Sequence, residues 1–207
     1  MQLTDLQPPP GRRERKRRQM LDQIAGMAFE LFEREGYQNV TMEQIATTAD
    51  VAKGTLYNHF QVKEAVLTHW IEKELSTDLA GLAPVLGETN SIQAQLTALF
   101  AASAQWCEGH RQYLPPYIRY RFGSFDAADG AVKDGEDLIT TMTQLIATAQ
   151  REDEVRSDLD AAHLAFLLNY LYLAALMRWL SVPELSLADE FEAAIQLFIN
   201  GAAEPSA

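Results

Sequence analysis

The chain has 207 residues, with 17 Lys and Arg against 29 Asp and Glu and a formal net charge of −12. Apolar residues make up 47 %, enough to bury a sizeable core in one domain or two small ones, and a single cysteine excludes an intramolecular disulfide. Taken as a mean, the acidity speaks against a nucleic-acid partner. The distribution says otherwise. Residues 1–63 hold nine Lys/Arg and eight Asp/Glu, a balance of +1, while residues 64–207 stand at −13. Six of the nine cations form one block: Arg12, Arg13, Arg15, Lys16, Arg17 and Arg18. No uninterrupted apolar stretch or small-residue cleavage site follows it, so it is not the charged end of a signal peptide. The most apolar run, Leu164 to Met177, is interrupted by Asn169, Tyr170 and Tyr172. It falls short of the roughly 20 residues a bilayer requires. A cytoplasmic protein with no membrane partner is expected.

Residues 1–10 contain Pro8, Pro9 and Pro10 and no apolar period, which predicts a disordered lead-in. Met20, Ile24, Met27 and Leu31, flanked by Leu21, Ala28 and Phe32, then recur at helical spacing up to Gly36. Thr41 to Gln44 reads as a capping box, with Val40 and Ile45 at the hydrophobic-staple positions. It opens a short helix over about 42–49. Asp50 tolerates a left-handed turn, and a third helix follows over about 53–60. Leu67, Ile71, Leu75, Leu79 and Leu82 mark a fourth helix, ended by Pro84 and Gly87. Ser91 caps a fifth, with Ile92, Leu96, Leu99, Phe100, Trp106 and Cys107. Pro115 and Pro116 precede an aromatic and basic segment, Tyr117 to Phe125, and residues 126–135 form a polar connection. Leu138, Met142, Leu145, Ile146 and Ala149 define the next helix. Ser157 and Asp160 have the spacing of a second capping box before a long helix through Leu180, which Pro183 breaks. Leu187, Phe191, Ala194, Ile195 and Phe198 stripe a last helix. The fold class is all-α.

Two short helices joined by a tight turn make a helix-turn-helix. Ile45, Ala46 and Ala49 pack the first of them, Val51 plugs the turn, and Leu56 and Phe60 seat the second. That second helix then presents Lys53, Gly54, Thr55, Tyr57, Asn58 and His59. These are hydrogen-bond donors, an aromatic, and a glycine that permits close approach. A helix of this size fits the major groove of B-DNA, about 12 Å wide. A small helical corner with polar decoration remains the plainer reading of the pattern alone.

The run from Thr41 through Phe60, TMEQIATTADVAKGTLYNHF, followed by Lys63 and Glu64, resembles the DNA-binding signature of the TetR family of bacterial transcriptional regulators. Ala28, Leu31 and Phe32, then Glu35, Gly36 and Tyr37, resemble that family's first helix and its exit. The resemblance covers about residues 16–66, and Val155 to Asp160 is similar to the approach to the eighth helix in many members. It implies a nine-helix protomer, double-stranded operator DNA as partner, a homodimer formed through the last two helices, and a small-molecule effector in a C-terminal cavity. It divides the chain into a disordered basic arm (1–14), a helix-turn-helix domain (15–62) and a ligand-binding and dimerisation domain (63–207). Carried over by position, Thr41, Tyr57, His59 and Lys63 meet phosphates, and Lys53, Gly54, Thr55 and Asn58 face the groove. Arg15, Arg17 and their neighbours add phosphate contacts with little sequence information. The chain departs from the pattern at three positions. The family usually has Gly at Asp50, Ser at Ala52, and a capping residue such as Ser at Val62. Loss of a side-chain cap typically costs ~1 kcal/mol.

The helix beginning near Leu159 is apolar nearly all round, so it needs neighbours on every face. Leu164, Leu168, Leu171 and Ala175, with Phe191, Ala194, Ile195 and Phe198 of the last helix, are the expected dimer contacts. Internal core is the alternative for the same residues. Trp106, His110, Tyr113, Tyr117, Arg119, Phe122, Met142, Asn169 and Tyr170 are the candidate effector-site residues, favouring an aromatic or amphipathic ligand. No metal-ligand spacing, catalytic constellation or Gly-rich phosphate loop is present, so no enzyme activity, metal or cofactor is expected. Two alternatives stand beside effector control: regulation by another protein, and redox control through Cys107.

Overall fold

A computed structural model of the chain describes residues 11–87, 91–123 and 138–202. Nine α-helices and two 3-10 turns lie among them, with no strand among the described residues. The chain divides into two compact units between Lys73 and Glu74.

The first unit opens with α1, Arg12–Glu35. Expected as an unstructured arm, Arg12 to Glu14 are instead helical. The reason is local: no Gly or Pro falls between Arg12 and Ala25, and Arg, Lys, Gln, Met and Leu are strong helix formers. Gly11 offers the helix no side-chain cap. Residues 1–10, with the three prolines, lie outside the described residues. Burial begins only at Ile24, and continues through Ala25, Ala28, Leu31 and Phe32. Gly36 ends the helix at φ +83°, a conformation that favours glycine. A 3-10 turn (Tyr37–Asn39) leads to α2, Met42–Thr48, and α3 follows at Lys53–His59. Ile45, Ala46, Leu56, Phe60, Val66, Leu67 and Ile71 complete the core of this unit.

Helix α4, Lys63–Gly87, runs from the first unit into the second. Its end was expected at Pro84 and Gly87; it stops at Gly87, with Pro84 inside the last turn. In the second unit α5 (Ile92–Gly109) starts at Ser91, whose hydroxyl accepts from the Ala94 amide at 3.3 Å. A 3-10 turn (Arg111–Tyr113) precedes α6, Leu114–Gly123. Pro115 and Pro116 therefore sit in the first turn of α6, where a missing amide costs no intrahelical bond. Phe125 and the 126–135 connection lie outside the described residues. The unit continues with α7 (Leu138–Arg151), α8 (Ala161–Ser181) and α9 (Leu187–Ala202), with α8 packed on both α7 and α9.

The expected capping box at Ser157 does not form. Helix α8 starts at Asp160, which makes no side-chain cap bond. The approach is held by other contacts. The Arg156 guanidinium donates to both Asp158 carboxylate oxygens at 2.6 Å, which holds the Asp158 carboxyl below the usual carboxylate range. The Gln150 amide donates to the carbonyls of Arg156 and Leu159 at 2.8 Å each. By length and composition α8 is apolar enough to cross a membrane. Here Leu164, Ala165, Leu168, Tyr172, Ala175, Leu176 and Trp179 bury one of its faces in the unit's core.

Candidate nucleic-acid interface

The geometry of α2 and α3 follows from short-range chemistry. The Thr41 hydroxyl accepts from the Gln44 amide at 3.3 Å, and the Gln44 side-chain oxygen accepts from the Thr41 amide at 2.8 Å. The capping box read from the sequence is therefore closed on both sides. At the other end of α2, Asp50 adopts φ +53°. The Val51 amide donates to the Ala46 carbonyl at 3.0 Å and the Asp50 amide to Thr47 at 3.2 Å. That pair of bonds is a Schellman motif, which stops α2 and turns the chain into α3. A left-handed residue with a Cβ is strained there. Asp50→Gly should raise stability by about 0.5–1 kcal/mol, seen as a higher midpoint in thermal unfolding. An unchanged or lowered midpoint would show that the Asp50 side chain stabilises the turn in another way.

Helix α3 begins at Ala52 with no side-chain cap, as the residue type implies. Leu56 and Phe60 are buried, and this sets the phase of the helix. Gly54 and Asn58 then point away from the core and are exposed, with Lys53 and Tyr57 exposed on one flank and Thr55 and His59 half-buried on the other. A Cβ on Gly54 would meet open space, so nothing inside the unit requires glycine at that position. Lys53 lies 3.8 Å from Glu43, both well exposed. Such a pair is weak in water, so the ammonium remains available to an external anion. Arg15 and Arg17 are exposed on α1, Arg17 paired with Glu14 at 3.2 Å.

Lys63 is placed differently from the expectation. Its ammonium points inward, at 2.9 Å from the Tyr37 carbonyl and 3.3 Å from those of Gln38 and Val40. The sequence pattern missed this because the partners are 23 to 26 residues away.

Residues 24–69 match the profile described as "Bacterial regulatory proteins, tetR family". That match identifies residues 24–69 as a TetR-family helix-turn-helix region. The regulator TcmR of Streptomyces glaucescens is 33 % identical over 123 residues, 59 % of this chain and 48 % of TcmR. The chain thus spans about half the length of that relative. The regulator HbdR of Aromatoleum sp. (strain CIB) is 26 % identical over 182 residues, 86 % of this chain and 78 % of HbdR. Among solved structures, FadR of Thermus thermophilus, a TetR-family repressor determined with lauroyl-CoA, has a TM-score of 0.72 and 26 % identity. It covers 92 % of this chain and 97 % of its own. The helix order of the chain, a helix-turn-helix followed by a helical C-terminal unit, is the order of that fold.

The TetR-family expectation of a C-terminal effector site is only partly matched by the side chains proposed for it. A largely apolar slot of about 30 Å³ lies between α4, α5 and α7, lined by Leu75, Leu79, Leu82, Leu99, Trp106 and Leu138 together with Asp78 and Ser103. Of the nine candidates only Trp106 lines it. Tyr113 and Met142 are fully buried in the core, and Tyr117 packs against it. His110 stacks on Trp106 and its ring nitrogen bonds the Trp106 carbonyl at 2.9 Å. Arg119 is exposed, Asn169 is half-buried, Tyr170 lies on the outer face of α8, and the Phe122 side chain lies outside the described residues. Aromatic residues mark the region, but the walls are mostly leucines whose facing the sequence does not reveal.

Behind the slot is a buried polar cluster. The hydroxyls of Ser103 and Tyr172 are 2.7 Å apart, with the Cys107 thiol 3.7 Å from Tyr172 and 3.9 Å from Ser103. Burial pushes the Cys107 thiol up and the Tyr172 hydroxyl well above its ordinary value. A buried thiol kept protonated is a poor nucleophile. Among the described residues no group of three or more His, Cys, Asp or Glu is placed to hold a metal ion.

The dimer assignment needs correction. Leu164, Leu168, Ala175, Phe191, Ala194, Ile195 and Phe198 are buried within the protomer's own core, and Leu171 packs partly against it. The faces left open are Phe166, Leu167, Tyr170 and Met177 on α8 and Leu197 on α9.

Proposed function

We propose that the protein is a cytoplasmic transcriptional regulator, most simply a repressor, that binds a pseudo-palindromic operator as a homodimer. Helix α3 enters the major groove with Lys53, Gly54, Thr55 and Asn58 toward base edges. Thr41, Tyr57 and His59 meet phosphates. The observation that carries this reading is the phase of α3: its buried side is filled by Leu56 and Phe60, and its open side carries donors around a glycine that packs on nothing. Release follows when a small amphipathic effector occupies the C-terminal unit. The slot walls are largely apolar, which suits a hydrocarbon tail, and the similar FadR of Thermus thermophilus was determined with lauroyl-CoA. At about 30 Å³ the slot holds little more than one water. An effector must therefore part α4, α5 and α7, and it acts by binding the parted state more tightly than the closed one.

Selection from a random DNA pool tests the reading. The selected sequences should contain two half-sites about one helical turn apart, ~34 Å. Lauroyl-CoA added to that complex should quench Trp106 and release the DNA. Recovery of no common sequence would refute operator binding. Full quenching with unchanged DNA affinity would refute effector control through the slot.

A further inference from the structure

Lys63 is the residue whose geometry departs furthest from the role its position suggests. It stands in the first turn of α4, where a cation is opposed by the positive end of the helix dipole. Its ammonium leaves that helix end and docks on three converging carbonyls, those of Tyr37, Gln38 and Val40, at 2.9, 3.3 and 3.3 Å. An ammonium has three protons, and all three are matched. The Tyr37 ring lies 4.5 Å from Nζ and adds a cation–π contact. The segment so held is the connection between α1 and α2. Its first bend is Gly36 at φ +83°, and the Asn39 side chain donates to the Glu35 carbonyl at 2.8 Å.

One peptide unit in this connection is held from both sides. The carbonyl of Val40 accepts from Lys63, and the amide of the next residue, Thr41, donates to the Gln44 side chain at 2.8 Å. That peptide is the entry to α2. Its plane sets where the Thr41 side chain and the first turn of α2 stand. We infer that Lys63 is a positioning residue for DNA recognition: it clamps the Val40–Thr41 peptide and so fixes the start of α2, and it does not contact phosphate. The inference rests on the DNA-binding reading above.

A phosphate contact and an internal clamp have different signatures. Every phosphate contact contributes about −0.9 to the slope of log K against log[salt], and a dimer carries two copies of Lys63. Lys63→Met and Lys63→Arg are compared with the parent protein on the selected operator, well below the unfolding midpoint of each variant. Under the clamp, both variants lose roughly tenfold or more in affinity, because a preorganised surface is lost, and the slope stays at the parent value. Arginine fails with methionine because its planar fork does not match three carbonyls arranged around one nitrogen. The inference is overturned if Lys63→Met lowers the slope by about two while Lys63→Arg keeps parental affinity, as a phosphate contact requires. It is also overturned if both variants melt earlier yet bind the operator as the parent does, since the clamp would then be structural only. Arg15→Gln, at an exposed cation expected to meet phosphate, serves as the control that should lower the slope. A parent protein that shows no salt-dependent binding to any selected DNA would instead refute the underlying DNA-binding reading.

Discussion

Replacing Arg12, Arg13, Arg15, Lys16, Arg17 and Arg18 together by Gln is expected to lower operator affinity about 10²–10³-fold near 150 mM salt and to flatten the log K against log[salt] slope by several units. All six side chains lie on the part of α1 that precedes its first buried residue, Ile24, and all six residues are exposed. They are spread around the helix rather than along one stripe, since at about 100° per residue positions 12, 13, 15, 16, 17 and 18 fall at about 0°, 100°, 300°, 40°, 140° and 240°. Such a helix presents charge to whichever backbone lies near. The isolated segment is also under electrostatic stress. Cations crowd the positive end of the helix dipole, and among the described residues the exposed Arg17–Glu14 pair is the one ion pair that relieves them. Phosphates relieve the rest, so DNA should both bind the segment and stabilise its helix. Glutamine keeps helix propensity and removes the charge. The thermal midpoint of the free protein should therefore stay the same or rise. Binding titrations over a range of salt give the answer, and a slope equal to the parent's would discard the role.

Phe166→Asp combined with Tyr170→Asp should yield a folded monomer at micromolar concentration, with operator affinity reduced about a thousandfold because each monomer reads one half-site. Phe166 and Tyr170 are 52 % and 41 % exposed and lie 4.7 Å apart, ring to ring. Leu167 and Met177 share their side of α8, and Leu197 of α9 is 63 % exposed. This apolar surface faces away from the core that Leu164, Leu168, Tyr172 and Trp179 fill. A contiguous exposed apolar patch of this kind marks an interaction surface. A twofold axis placing α8 and α9 against their copies would bury it in a four-helix arrangement. Charges placed there cost nothing in the monomer and oppose the dimer. Analytical ultracentrifugation with circular dichroism checks both halves of the expectation. The contrasting change is Leu168→Ala, in the core, which should cost about 2–5 kcal/mol of stability. A double variant that remains dimeric would show that the partner is held elsewhere.

The helix-turn-helix was legible because everything that shapes it is local. The capping box spans four residues, from Thr41 to Gln44. The Schellman turn spans six, from Ala46 to Val51. The alternation of Leu56 and Phe60 with polar neighbours sets the phase of α3 without reference to anything outside it. The corrections have an equally physical cause. Proline and capping signals fix an end only where no stronger contact intervenes. Pro84 lies within α4, and the helix stops only at Gly87. At Ser157 the Arg156–Asp158 pair and the Gln150 amide organise the turn in place of the serine hydroxyl.

Helix α8 shows the limit most clearly. An amphipathic helix announces its inner face by the spacing of its apolar residues. A helix apolar all round carries no phase, so Leu164 and Leu168 could not be told from Phe166 and Leu167 by composition. Packing against α7 and α9 makes the choice, sending the first pair inward and leaving the second pair outside. The effector slot is similar, since leucines of α4, α5 and α7 become walls only when three helices meet. Lys63 is the third case: its partners are more than twenty residues back along the chain, and no spacing rule reports on them.

The unequal charge distribution, a near-neutral head with a cationic block and a −13 body, is a property of the sequence alone. So are the all-α class and the turn that presents α3, since each depends on composition or on contacts within one helical turn. Which face of α8 is free, where the slot lies, and that Lys63 turns inward were decided by the tertiary structure, because those outcomes depend on long-range packing that local periodicity does not encode.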